Sequence, residues 1–172
     1  MNRRNILSLS VITACGLALL PGSAVSQQKS LKDQLVGTWT PVSWEQDVAG
    51  GSKFQRFGAS PKGVTVFDAN GRFIQIFMRS DLPKIASNNL SSPTPEEAKA
   101  IVTGSIAYYG TYTVDEAAKV VSLKIEASSF ANQLAIVQKR TITSISPTEI
   151  KYINTTVVGN AGQIHITLKR AN

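Results

Sequence analysis

The sequence predicts an all-β fold, an antiparallel up-and-down barrel of about eight strands. Three observations support this prediction: Gly37-Thr38-Trp39 enters the first strand, short runs of apolar and β-branched residues follow it, and turn residues separate those runs. An open sheet of this length would expose two edges, and closure into a barrel removes both. We therefore expect a small closed barrel, a fold that commonly holds an apolar molecule in its interior.

Eight segments have the composition of strands. The clearest turn is Asp68-Ala69-Asn70-Gly71, where Asn-Gly tolerates positive φ, so the segments on either side of it should form a hairpin. Pro41 marks a sheet edge or a β-bulge in the first segment, because proline cannot donate to a strand ladder. The predicted strands are 38–48, 63–67, 72–79, 105–114, 120–126, 140–145, 150–157 and 164–168.

One insertion, residues 80–104, lies between the third and fourth predicted strands. It contains Thr94-Pro95-Glu96-Glu97, which has threonine at the N-cap, proline at the first helical position and glutamate three residues after the cap. This pattern predicts one short helix that ends at Gly104. Long loops in compact domains are often functional, so we expect the insertion to form a lid over one barrel mouth.

The first 26 residues have the pattern of a secretory signal peptide. Arg3 and Arg4 give a positive start, residues 6–20 are apolar, and Ala24-Val25-Ser26 supplies the small residues that a signal peptidase requires. The predicted organisation is a cleaved signal peptide, 1–26, and one β-barrel domain, 27–172. No later run is long and apolar enough to form a transmembrane segment, so an exported protein, periplasmic or secreted, is expected.

The export route stays open at this stage. Arg3-Arg4 fits a twin-arginine signal, and it also fits the positive start of a general secretion signal. Cys15, the only cysteine, lies in a segment similar to a lipoprotein processing box, but the apolar run continues beyond it, which favours a soluble product. Without Cys15 the domain would have no disulfide and no thiolate metal site.

The charge pattern argues against a nucleic-acid partner. The chain has 18 basic and 11 acidic residues and a formal net charge of +7. The bases are scattered, however, and the densest clusters are only the pairs Lys139-Arg140 and Lys169-Arg170. We expect no nucleic acid as partner, and the oligomeric state stays open.

Patterns for catalysis or metal binding are weak. His165 is the only histidine, and it should face outward if Ile164 and Ile166 face the core. One histidine without a supporting carboxylate cluster does not predict a metal site. The sequence contains no Gly-x-Ser-x-Gly elbow and no glycine-rich phosphate loop. We therefore predict no catalytic residue, no metal and no cofactor.

The third predicted strand supplies candidate ligand-binding residues. Gln75, Phe77 and Arg79 are spaced two apart and share one face. Polar groups on that face would be costly to bury without partners. Arg79 therefore either points inward, held by Asp81 or by a ligand carboxylate, or lies exposed at the strand end.

The remaining candidates are tyrosines, one asparagine and one tryptophan. Tyr108 and Tyr112 share a face, where they either belong to the core with hydroxyls bonded at a rim or line a cavity. Asn88 could bind a ligand or could stabilise a local turn. Trp39 is expected to plug the closed end. Trp44 would face the opposite side unless Pro41 introduces a bulge.

Several blocks resemble the bacterial lipocalin-like domain family over nearly the whole mature chain. The blocks are 35–39 with Trp44-Glu45, Phe57-Gly58, 61–63, 67–73, 78–79, 81–84, 86–89, 104–112 and 139–141. The resemblance implies a calycin-like barrel of eight strands, often exported and with little assigned biochemistry. It also implies structural roles for Gly37 and Trp39, with a late basic residue, Arg170 or Lys169, packed over Trp39.

The function that we expect is an exported protein that binds a small apolar or amphipathic molecule in the barrel interior. A cofactor-free isomerase or cyclase is the enzymatic alternative, with Tyr108, Tyr112 and Arg79 as acid or orienting groups. A structural envelope or stress protein with a filled barrel is the third class. A cavity of a few hundred Å³ would argue against that last class.

Overall fold

The computed structural model describes residues 29–134, 136–155 and 162–171. The predicted signal peptide, 1–26, lies outside these residues, and so do the last two residues of the predicted strand 150–157. The elements are α1 Leu31–Leu35, β1 Gly37–Asp47, β2 Lys53–Phe54, β3 Lys62–Phe67, β4 Arg72–Met78, α2 Pro95–Gly104, β5 Ser105–Asp115, β6 Val120–Ser128, a 3-10 turn Ala131–Gln133, β7 Gln138–Ile145, β8 Glu149–Asn154 and β9 Ile164–Arg170.

Eight of these strands form a closed antiparallel barrel. The order is β1-β3-β4-β5-β6-β7-β8-β9, and β9 pairs back with β1, from Trp39 opposite Arg170 to Gln46 opposite Ile164. The two-residue strand β2 pairs with the far end of β1 and adds a short ninth strand. The predicted eight-stranded up-and-down barrel is confirmed. The predicted strand bounds agree with the observed ones to within a few residues.

The barrel has two different ends. The tight turns β3–β4, β5–β6 and β7–β8 lie at one end together with α1, and we call this the closed end. The longer connections, 48–61, 79–104 and 129–137, lie at the other end, which we call the open end. Helix α2 belongs to the connection between β4 and β5.

Strand residues alternate between the barrel interior and its outer surface. On β4, Phe73, Gln75 and Phe77 are buried, whereas Ile74 is 47% exposed. The same alternation on β9 buries Ile164 and Ile166. The core is therefore a single interior cluster enclosed by the sheet.

A β-bulge in β1 decides where the two tryptophans point. The pairing of β1 with β9 shifts between Pro41 and Ser43, so Val42 is an extra residue with 38% exposure. One extra residue changes the alternation, and residues five positions apart then share a face. Trp39 and Trp44 are accordingly both buried in the interior. The bulge at Pro41 that the sequence left open is present.

The capping box of α2 forms as predicted. The Thr94 hydroxyl accepts a hydrogen bond from the Glu97 amide at 3.2 Å, and Glu97 Oε2 accepts one from the Thr94 amide at 2.8 Å. Glu97 Oε1 also accepts a hydrogen bond from the Ala86 amide at 2.9 Å. One carboxylate therefore fastens the irregular half of the insertion to its helix.

Helix α1 was not predicted from the sequence. It is only five residues long, too short for a periodic apolar pattern, and it buries Leu31 and Leu35 at the closed end. Its N-terminal amides at Leu31 and Lys32 donate to the Glu116 carboxylate at 2.7 and 3.0 Å. Tertiary contacts of this kind stabilise a helix that local propensity would not.

Candidate functional site

A cavity of about 160 Å³ lies inside the barrel at the open end. Toward the closed end the interior is filled, and the gap that remains there, bordered by Leu35, Phe67 and Tyr152, is only about 10 Å³. Gln75 and Arg140 border both spaces, so they form the floor of the larger cavity. One end of the barrel is therefore hollow and the other is packed.

One wall of the cavity is apolar and largely aromatic. The ring of Phe57 lies between those of Trp44 and Phe77, at centroid distances of 5.3 and 5.7 Å and in edge-to-face geometry. Ile106 and Ile166 border the same space. This wall suits the apolar body of a small molecule.

The opposite wall is polar and has Arg140 at its centre. Arg140 is 3% exposed, and its Nη2 donates to Gln138 Oε1 at 2.6 Å and to the Tyr108 hydroxyl at 3.2 Å. Arg140 Nε and Asn154 Oδ1 are buried without a hydrogen-bond partner among the described residues. Buried polar atoms are normally paired, so these two atoms mark unused bonding capacity next to the cavity.

The mouth of the cavity is bordered by two loops. Residues Arg56 and Phe57 belong to the connection 48–61, and Phe130 and Gln133 belong to the connection 129–137. Arg56 donates to the Thr103 carbonyl at 2.8 Å and to the Ser105 carbonyl at 3.3 Å, and burial lowers the pKa of its guanidinium. The mouth is thus fixed to the C-terminal end of α2.

The insertion 80–104 was predicted to form a lid over one barrel mouth, and in this structure it lies at the open end outside the cavity lining. None of residues 80–104 lines the cavity, and the insertion lies beside the open end, where Arg56 contacts the carbonyls of α2. Within the insertion, Glu97 binds the Ala86 amide of the loop to the N-terminus of α2. The loops that contain Phe57 and Phe130 occupy the mouth instead.

The structure separates the candidate residues into two groups. Gln75, Phe77 and Tyr108 all border the cavity and are at most 5% exposed. Tyr112 is buried nearer the closed end, where its hydroxyl donates to the Asp68 carbonyl at 2.7 Å and burial raises its pKa. Tyr112 therefore belongs to the core, with its hydroxyl bonded at the rim of the barrel, whereas Tyr108 lines the cavity.

Arg79 does not border the cavity, and its geometry is that of the exposed alternative at the strand end. Strand β4 ends at Met78, and the Arg79 guanidinium donates from Nε and Nη2 to the Asp81 carboxylate at 2.8 and 2.7 Å. Its side chain is 42% exposed. The ion pair with Asp81 turns it outward at the strand end.

Asn88 also lies away from the cavity. It adopts a φ of 50°, and its backbone N–H donates to the Ile85 carbonyl at 2.9 Å in an exposed turn. Asparagine tolerates this left-handed conformation better than most residues. Asn88 does not border the cavity, and its conformation is that of a residue in a local turn, the second of the two predicted roles.

Three residues pack together at the closed end. Trp39 is fully buried and donates from its indole nitrogen to the Leu35 carbonyl at 2.8 Å. The Arg170 guanidinium lies 4.0 Å from the centroid of the Trp39 ring. A Cβ on Gly37, whose φ is +138°, would be strained and would displace Arg170 Nη1 from its present position, so glycine favours this arrangement. Lys169 is exposed, and Arg170 is the basic residue over Trp39.

His165 lies on the outer surface, as predicted. Its Nε2 is 3.0 Å from Asp47 Oδ2, and Lys53 also contacts Asp47. Within residues 29–134, 136–155 and 162–171, no three histidine, cysteine, aspartate or glutamate side chains are arranged to hold a metal ion. Within the same ranges, no helix has the length and apolar character needed to span a membrane.

Several cavity residues were not identified from the sequence. Arg140 and Gln138 alternate with exposed residues on β7, and Ile142 continues the same buried face. The alternation Gln138-Arg140-Ile142 was the available signal, because an inward Ile142 places the other two inward. Trp44 and Phe57 depend on the bulge and on a loop, and strand periodicity cannot reveal either.

A closed eight-stranded meander with one hollow end defines a small barrel of the type that binds molecules in its interior. The chain belongs to the family described as "Lipocalin-like domain", whose model matches residues 36–167. That fold suggests ligand binding in general. A search of curated proteins found no match.

Two solved structures are similar to the chain. One is a redesigned β-barrel, 16% identical, which covers 86% of this chain and 100% of its own with a TM-score of 0.43. The other is EF1p2_mFAP2b bound to DFHBI, 16% identical, which covers 81% of this chain and 95% of its own with a TM-score of 0.39. Both TM-scores are below 0.5, so neither likeness adds to the fold described above.

Proposed function

We propose that this chain binds a small amphipathic molecule in the cavity at the open end of the barrel. The observation that carries the proposal is the two-sided cavity of about 160 Å³, with aromatic rings on one wall and polar groups around Arg140 on the other. An apolar body would pack on Trp44, Phe57 and Phe77. A polar group of the ligand would accept the hydrogen bond for which Arg140 Nε has no partner among the described residues.

The volume limits the size of the ligand. Ligand cavities usually measure about 300–1,000 Å³, and a water molecule takes up about 30 Å³ in the liquid. A space of about 160 Å³ therefore suits a single ring or a short chain with one polar group. Long-chain and multi-ring molecules would not fit without movement of the mouth loops.

A titration with four small probes tests this proposal. The probes are phenylacetate, phenylacetamide, hexanoate and 1-hexanol, and isothermal titration calorimetry measures each Kd. We expect at least one of them to bind the wild type. Ile166→Phe, which puts a larger side chain into the cavity, should weaken that binding by about tenfold or more, since overpacking costs about 1–3 kcal/mol.

Leu168→Phe is the matched control for this substitution. Leu168 lies two residues further along the same strand face, is fully buried and does not border the cavity. Because its surroundings are packed, Leu168→Phe should melt no higher than Ile166→Phe, and it should keep wild-type affinity while it is folded. Absence of binding by all four probes would contradict the proposal.

A filled structural barrel is the second candidate. It is favoured by the dense packing at the closed end and by a cavity smaller than most ligand sites. This candidate predicts that none of the four probes binds, so the same titration separates the two functions.

We further propose that the protein is exported, with residues 1–26 removed. The support is the sequence pattern of Arg3-Arg4, the apolar run 6–20 and Ala24-Val25-Ser26. N-terminal sequencing of the protein from the periplasm or medium of an expressing bacterium should begin at Gln27. A chain that begins at Met1 would contradict export by cleavage.

A further inference from the structure

We infer that the ligand of this cavity is an organic anion, with a carboxylate that binds the Arg140 guanidinium. This inference rests on the proposed function and adds the chemical class of the ligand. It follows from a buried positive charge, from the placement of the acidic residues and from the geometry of the guanidinium.

The first step is the charge of Arg140. An arginine side chain stays protonated in proteins, so this buried side chain carries a full positive charge. Its hydrogen-bond partners among the described residues are the Gln138 amide oxygen, the Tyr108 hydroxyl and the backbone carbonyl of Lys139, all of them neutral. Tyr152, which also packs against it, has its pKa raised by burial and stays neutral too. Charges at such depth are normally paired.

The second step is the placement of the acidic residues. All 11 aspartates and glutamates of the chain lie within the described residues, and none of them borders the cavity. Arg140 makes no ion pair with any of them. The acids that form ion pairs do so on the outer surface: Asp47 with Lys53, Asp81 with Arg79, Glu126 with Arg72 and Glu149 with Lys151.

The third step is a second arginine at the mouth. Arg56 borders the cavity, and its hydrogen bonds go to the backbone carbonyls of Val102, Thr103 and Ser105. The described lining therefore carries two positive charges and no negative side chain. A cleft lined by one sign of charge concentrates ions of the opposite sign.

The fourth step is the match between the guanidinium and a carboxylate. The planar fork of arginine donates parallel hydrogen bonds to the two oxygens of a carboxylate. Arg140 Nε has no acceptor among the described residues, so its N–H is available to one carboxylate oxygen. The second oxygen would take the place of the Tyr108 hydroxyl, the more distant of the two acceptors of Nη2. The apolar wall opposite would hold the rest of the molecule, an aromatic ring or a short alkyl chain.

Phenylacetate and phenylacetamide test this inference, because they have nearly the same shape and differ in charge. We expect phenylacetate to bind the wild type with a Kd about 10- to 100-fold lower, since hydrogen bonds to charged groups contribute about 1.5–3 kcal/mol. Arg140→Met should remove this preference. Lys139→Met, one residue away on the exposed face of β7, should retain it.

The outcomes separate the inference from the proposed function. Equal affinity of the two probes for the wild type would overturn the anion inference and leave the proposed function standing. Absence of binding by every probe would overturn the proposed function itself. If Arg140→Met does not melt cooperatively, the comparison in the wild type decides alone. If a folded Arg140→Met protein still prefers phenylacetate, the carboxylate binds a group other than Arg140, and the inference about Arg140 is overturned.

Discussion

At the closed end of the barrel, one arginine side chain connects three segments of the chain. Arg170 donates to the Pro147 carbonyl at 2.6 Å, to Gln34 at 2.9 Å and to Val36 at 3.0 Å. It also stacks on Trp39. Because the guanidinium is planar and has several donors, it can make these contacts at once, which a lysine cannot.

We predict that Arg170→Gln lowers the free energy of unfolding by about 2 kcal/mol or more, since it removes hydrogen bonds from a charged donor and a cation–π contact. Urea denaturation measures this change. Lys169→Gln, at the exposed neighbouring position, is the control and should stay within about 0.5 kcal/mol of the wild type. Equal effects of the two substitutions would refute the structural role of Arg170.

Sequence analysis identified the cavity residues whose direction follows from regular strand alternation, and it missed those whose direction depends on where a strand begins or ends. Gln75, Phe77 and Tyr108 follow regular alternation from strand positions that the sequence marks clearly, so their inward direction was predictable. Arg79 follows the same alternation but lies one residue beyond β4, where Asp81 binds it outside. Arg140 lies in β7, which begins two residues before the predicted start. Because Lys139 is its neighbour, the sequence analysis treated Arg140 as half of a basic pair and did not identify it as a buried residue.

At the level of elements, the connection between β4 and β5 shows how one side chain organises a loop. Glu97 accepts hydrogen bonds from the amides of Thr94 and Ala86, and these bonds hold the pKa of its carboxyl below the ordinary value. A carboxylate whose pKa is lowered by folding contributes stability above its unfolded pKa. That contribution is lost as the pH falls through the folded pKa.

We predict that this contribution is present at pH 7 and lost below about pH 4, given an ordinary glutamate pKa of about 4.3. The wild type should therefore be more stable than Glu97→Ala at pH 7, and the difference should shrink on acidification. Thermal melts at pH 7, 5 and 3 measure it. Glu96→Ala, at the neighbouring position in the first turn of α2, serves as control and should show a smaller pH dependence. A constant difference between wild type and Glu97→Ala across this range would contradict the prediction.

The elements differ in how far the sequence determines them. The capping box of α2 and the Asn-Gly turn are local, so four residues suffice to predict each. Helix α1 depends on Glu116, which is more than 80 positions away in the chain. The bulge at Val42 depends on pairing with β9, so only the closed barrel determines the direction of Trp44.

For the whole molecule, the barrel is divided into a packed half and a hollow half. The packed half contains Trp39, Leu35 and Tyr152, and the hollow half is bordered by aromatic rings and by Arg140. Acidic residues lie outside and a positive charge lies within. The closed end stabilises the fold, which allows the open end to keep a charged group that is costly to bury.

The measurement that tests the central claim most directly is the NMR signal of the Arg140 Nε–Hε group, assigned by its loss in Arg140→Lys. We predict that phenylacetate shifts this signal in a saturable way and that phenylacetamide at the same concentration leaves it nearly unchanged. A signal that does not move when phenylacetate is bound, or that moves equally with both probes, would contradict the claim that Arg140 binds an anionic ligand inside the barrel.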